Sequence, residues 1–136
     1  MFICNPEKTE IINVNEILAV HTAKAVNQIS VHLDNHSCVF KANSSEDLFE
    51  YESQIEMSLY SAANRWAKCG NWLFRADKIT HANIFERQGL SVHMGNKLFF
   101  VPCNGNVTKE DLMTEFLHSI SYPLMSDRGP NLYCVN

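Results

Sequence analysis

Ser30-Val31-His32-Leu33-Asp34-Asn35 returns as Ser91-Val92-His93-Met94-Gly95-Asn96, an offset of 61 residues. Each copy alternates apolar and polar side chains and then meets a turn pair, the pattern of a half-buried strand entering a hairpin. Working outward, Asn15-Glu16-Ile17 upstream faces Asp77-Lys78-Ile79 at an offset of 62. Downstream, Glu46-Asp47-Leu48 returns as Glu110-Asp111-Leu112 at an offset of 64. Offsets that drift by a residue or two are what loop insertions produce, so the chain reads as an internal duplication.

The elements follow from periodicity. Ile11 to Val14 and Ile17 to Thr22 are short strands around Asn15-Glu16. Ile29, Val31 and Leu33 alternate with Ser30 and His32, and after Asp34-Asn35 the residues Cys38, Phe40 and Ala42 alternate back. Ser44 or Ser45 caps a helix with Glu46 and Asp47 in its first turn, where the helix dipole favours negative charge. Leu48, Tyr51, Ile55, Leu59, Ala62 and Trp66 make its apolar stripe, and Gly70 ends it.

The second copy repeats the plan with strands at Trp72 to Ala76, Ile79 to Phe85, Leu90 to Met94 and Leu98 to Val101. The last is apolar on both faces, which suits a strand covered from two sides. Pro102 stops its ladder, and Thr108 with Asp111 caps a helix carrying Leu112, Met113, Phe116, Leu117 and Ile120. The expected fold is α+β: two tandem β-sheet-plus-helix halves, β-β-β-β-α twice, packed with rough two-fold pseudo-symmetry. The halves are 1–69 and 70–122, and 123–136 is a C-terminal tail with turn residues Asp127, Gly129 and Pro130. A half of this size buries too little surface to stand alone.

Composition sets the limits. The chain has 136 residues, 46% hydrophobic and 19% charged, which excludes wholesale disorder. No run approaches the roughly 18 apolar residues of a membrane span, and MFICNPEKTE lacks a signal pattern, so no membrane association is expected. The five cysteines (Cys4, Cys38, Cys69, Cys103 and Cys134) are odd in number and lack CxxC spacing. They fit a reducing cytoplasm better than a disulfide scaffold or a thiolate zinc site.

Catalytic and cofactor patterns are missing. The sequence holds no GxxxxGK[ST] and no GxGxxG, and its five glycines leave little room for an oxyanion loop beside Cys38 or Cys103. His32 and His93 occupy one repeat position and would share a metal if the halves brought them together. No zinc-binding motif accompanies them, so no metal or other cofactor is expected. The chain reads as an interaction module and not as an enzyme.

Charge is uneven. Residues 1–64 carry three bases against nine acids, a balance of −6; residues 65–97 carry six bases against two, a balance of +4; the whole chain is −4. The acidic helix, with Glu46, Glu50 and Glu56 as its contact residues, would dock on a basic surface of another protein, as an inhibitor or adaptor does. The alternative is nucleic-acid binding through Arg65, Lys68, Arg75, Lys78 and Arg87, interleaved with Trp66, Trp72, Phe74 and Phe85. Strands and a helix followed by Phe74-Arg75 and Asn83-Ile84 resemble the outline of LytTR-type DNA-binding domains, which implies a DNA-binding regulator. Those domains have a basic, serine- and histidine-rich approach to the asparagine, where this chain has Ala76-Asp77-Lys78-Ile79-Thr80-His81. Apolar side chains beyond what each half buries imply a homodimer.

Overall fold

The computed structural model describes residues 2–62, 65–85, 89–103, 105 and 107–121. The chain is mixed α+β, and its contacts divide it into two compact units, Met1–Asn64 and Arg65–Asn136. No helix among the described residues is long and apolar enough to cross a membrane.

In the first unit, β1 (Phe2–Cys4) pairs antiparallel with β2 (Ile11–Asn13), and a 3-10 turn over Val14–Glu16 leads to β3 (Ala19–Ala23). A second 3-10 turn, Lys24–Val26, closes on Asn27 at φ 52°, a left-handed position that asparagine tolerates. The chain then enters β4 (Gln28–His32) and β5 (Ser37–Lys41), which complete an antiparallel meander with β3. Ile29 and Val31 of β4 and Cys38 and Phe40 of β5 are buried on one face, as alternation requires. Helix α1 (Ser45–Ser61) starts where the Ser44 hydroxyl accepts from the Asp47 N–H at 3.1 Å, and it buries Leu48, Ile55 and Leu59 over β1 and β4.

The second unit opens with a hairpin, β6 (Trp66–Cys69) and β7 (Trp72–Arg75). Its two-residue loop needs a left-handed first position, which Gly70 supplies at φ 58°. A 3-10 turn over Ala76–Lys78 leads to β8 (His81–Phe85), β9 (Gly89–Met94) and β10 (Lys97–Pro102), again an antiparallel meander. Helix α2 (Lys109–Ser121) begins with a reciprocal capping box. The Asp111 N–H donates to the Thr108 hydroxyl at 3.1 Å, and the Thr108 N–H donates to the Asp111 carboxylate at 3.2 Å. Its inner face meets the strands through Phe116, which packs edge-on to Phe74 with ring centroids 5.9 Å apart. The N–H groups of Lys68 and Gly70 donate to Ser119 and Glu115 of the same helix.

Three expectations need correction. The first helix does not run through Trp66 to Gly70: it ends at Ser61, and Ala62 is already extended. Trp66 continues the helical spacing by coincidence, and it sits in a strand because the Gly70 turn lets 66–69 fold back on 72–75. Each unit therefore shows five strands among its described residues rather than four, β1 and β6 being the added ones. Finally, β10 is covered on one face only: Phe99 and Val101 are buried, while Leu98 is 60% and Phe100 37% exposed. The expected tail 123–136 lies outside the described residues.

The two units share local geometry. Each runs hairpin, 3-10 turn, three-stranded meander, helix. The 3-10 turns close alike, with the Ile17 N–H donating to the Val14 carbonyl and the Ile79 N–H to the Ala76 carbonyl, both at 3.2 Å. The next residue in each unit reaches the histidine of the repeated hairpin. The Leu18 N–H donates to the His32 carbonyl at 2.8 Å, and the Thr80 N–H to the His93 carbonyl at 2.9 Å.

Candidate functional site

On α1, Glu46 and Glu50 are exposed and lie on the side away from Leu48, Ile55 and Leu59. Glu56, ten residues from Glu46, is turned by roughly 80° at 3.6 residues per turn. One turn on is Tyr60, whose hydroxyl is held above its ordinary pKa by burial first and then by the charges of Glu56 and Glu52. Glu46 and Glu50 lie about 40° apart, and Glu56 stands at the edge of the same side, close to Phe49, which precedes it by seven residues. The structure adds two residues that the sequence reading passed over: Phe49 is 71% exposed and Met57 69%, both on the Glu46–Glu50 side. Their signal was present in the sequence, as apolar residues off the buried stripe at positions neighbouring the acids on the helix surface.

The basic stretch spans several elements. Lys68 and Lys78 are exposed, and Arg65 is half-buried. Arg75 has a side chain only 13% exposed, and its Nε donates to the Asp77 carboxylate at 3.2 Å. The strand breaks after Arg75 into a 3-10 turn, so alternation along one strand does not relate Arg75 to Lys78. Arg87 lies outside the described residues. Two of the interleaved aromatic residues belong to the core. Trp66 and Phe74 are fully buried, and Trp72 stacks on Phe74 with centroids 5.4 Å apart and planes within 3°. Rings held this way cannot also offer faces to bases.

A denser cluster sits at the loop end of the β4–β5 hairpin. Cys38, at the start of β5, is 3% exposed, and its thiol donates to Glu10 Oε2 at 2.7 Å. His36 Nε2, from the hairpin loop, lies 3.3 Å from the same oxygen. The ligand atoms of the three residues lie within 4.8 Å of one another. The loop that delivers Glu10 is pinned by half-buried polar contacts: Asn5 Oδ1 accepts from the N–H groups of Thr9 at 2.8 Å and Glu10 at 2.9 Å. The His36 loop is tied by the Leu33 N–H, which donates to the His36 carbonyl at 2.7 Å.

The electrostatics of this cluster oppose a nucleophilic role for the cysteine. Burial, then the hydrogen bond and charge of Glu10, push the Cys38 thiol up to about 11. A catalytic thiolate needs the opposite shift. The Glu10 carboxyl is lowered, first by the thiol's hydrogen bond and then by His36.

Elsewhere, His93 faces His81 across the β8–β9 ladder with ring centroids 5.1 Å apart. His32 sits in the first unit beside Ser37, its Nδ1 2.9 Å from the hydroxyl. A cleft of about 260 Å³ between β1, β5 and α1 is lined by Phe2, Cys4, Phe40, Tyr51 and Ile55 among others, and it contains no carboxylate or histidine.

What the geometry defines is a mixed α+β chain with an acidic helix face and a mixed-donor cluster. Neither a protein-family model nor a curated protein sequence matches it.

Proposed function

We propose that the chain is a non-enzymatic protein-interaction module that docks through the outer side of α1 on a basic protein surface, as an inhibitor or adaptor. The observation that carries this reading is the exposure of Phe49 and Met57 on the side of α1 that carries Glu46 and Glu50. Large apolar side chains rimmed by charge are how protein interfaces combine anchoring with orientation. The acidic balance of residues 1–64 selects a basic partner and repels polyanions. The unpaired thiols Cys4, Cys38, Cys69 and Cys103 suit a reducing cytoplasm. We further propose that the units descend from a duplication, with rough two-fold symmetry between them. Homodimerisation would use β10, which ends its strand order and exposes Leu98.

The test is affinity capture with the wild-type chain and with a Glu46→Lys, Glu50→Lys, Glu56→Lys variant, with folding checked by circular dichroism. Partner recovery is expected to disappear with charge reversal while the fold persists, because exposed charge changes cost little stability. A nucleic-acid mobility shift at about 0.15 M salt would instead favour the reading based on Lys68 and Lys78.

A further inference from the structure

The Glu10–His36–Cys38 cluster has a use that the docking face does not require. We propose that it is a binding site for a divalent transition-metal ion of the zinc type, held by one carboxylate oxygen, one imidazole nitrogen and one sulfur, with one coordination position open to solvent.

The donor set selects the ion. Imidazole with sulfur suits zinc and its neighbours, whereas calcium and magnesium demand several oxygens and would find one carboxylate. The distances suit it as well. With Zn–N, Zn–O and Zn–S bonds of about 2.0–2.3 Å, the edges of a tetrahedron are about 3.4–3.6 Å. His36 Nε2 and Glu10 Oε2 already stand 3.3 Å apart. Cys38 Sγ and Oε2, at 2.7 Å, must separate by about 0.9 Å, a movement within reach of a carboxylate whose side chain is 44% exposed. On binding, the thiol proton leaves for solvent and the Sγ–metal bond replaces the Sγ–H···Oε2 hydrogen bond.

Preorganisation supports the same assignment. Cys38 is fixed by its ladder to Val31, Glu10 by the Asn5 side chain, and His36 by the backbone bond across its loop. These contacts fix the backbone segments that carry the three donors. The His81–His93 pair lacks a third donor among the described residues. The side of the cluster toward solvent, where His36 is 60% exposed, leaves room for water in the fourth position.

The experiment titrates the reduced full-length chain with cobalt(II), then displaces it with zinc. Expected is one ion per chain and a near-ultraviolet thiolate-to-cobalt charge-transfer band. That band should be absent in Cys38→Ser and retained in Cys4→Ser and His81→Gln. His36→Gln, an exposed substitution that leaves the fold intact, should weaken zinc binding by more than about 100-fold, beyond what losing an outer contact costs. Absence of the band in the wild-type chain, its survival in Cys38→Ser, or zinc affinity of His36→Gln within about threefold of wild type each overturns the proposal.

Discussion

Replacing Phe49 by alanine separates a docking face from a packing face, with Leu59→Ala on the same helix as reference. An aromatic side chain of this kind presents on the order of 200 Å² of surface. At 71% exposure, about 140 Å² of the Phe49 ring is in water and about 60 Å² is covered. At about 25 cal/mol/Å² the covered part is worth at most roughly 1.5 kcal/mol, less once denatured-state burial and the better helix propensity of alanine are counted. Phe49→Ala should therefore cost below about 1 kcal/mol. Leu59 is fully buried, and its truncation leaves a cavity, so Leu59→Ala should cost about 2–5 kcal/mol. Urea melts read both as shifts in midpoint at constant slope. The uncovered 140 Å² is what a partner can still bury: up to about 3.5 kcal/mol, a few hundred-fold in Kd, lost on Phe49→Ala. A Phe49→Ala cost within about 1 kcal/mol of that for Leu59→Ala would refute the reasoning, because the ring would then belong to the chain's own core.

Two further outcomes are expected. Gly89→Ala should be the more damaging of two glycine replacements. At φ 153° its Cβ would meet the Val101 carbonyl oxygen at 2.1 Å and part the end of the β9–β10 ladder, whereas Gly95 at φ 62° has open space. Midpoint shifts of at least about 2 kcal/mol against about 1 kcal/mol are expected, and equal shifts would contradict the backbone clash. Burial, then the Glu115 charge, push the Cys69 thiol from 9.0 to about 12. The unfolded thiol ionises first as pH rises, so this stability is present below pH 9 and lost from 9 toward 12. Cys69→Ala should flatten that arm of the stability–pH curve, and an unchanged arm would remove the assignment.

The meanders and helix starts were legible because their physics is local. Alternation over 28–32 and 37–41, the Gly95-Asn96 pair and the Ser44 and Thr108 caps each act within a few residues. The added hairpin strands were hidden for two reasons. Phe2-Ile3-Cys4 is too short to show a period, and Trp66-Ala67-Lys68-Cys69 follows a helix whose apolar spacing it happens to extend. Its turn residue, Gly70, reads equally as a helix stop or a hairpin loop, and only pairing with 72–75 decides between them.

The mixed-donor cluster was hidden by sequence distance. Glu10 lies 26 residues before His36, and its loop is placed by Asn5, whose role emerges only when its side chain accepts two backbone N–H bonds. Half of the signal was nevertheless local. His36 and Cys38 are two apart, a spacing that puts both side chains on one side of an extended chain. A search confined to histidine pairs and CxxC spacings passes over it. The basic residues show the reverse: neighbours in sequence, they fall in different elements, Lys68 in β6, Arg75 at the end of β7 beside Asp77 and Lys78 in a 3-10 turn. Spacing is therefore informative only within an element whose period is known. The acids of α1 show this from within one helix, where 3.6 residues per turn sets Glu50 about 40° and Glu56 about 80° round from Glu46, to opposite sides of it.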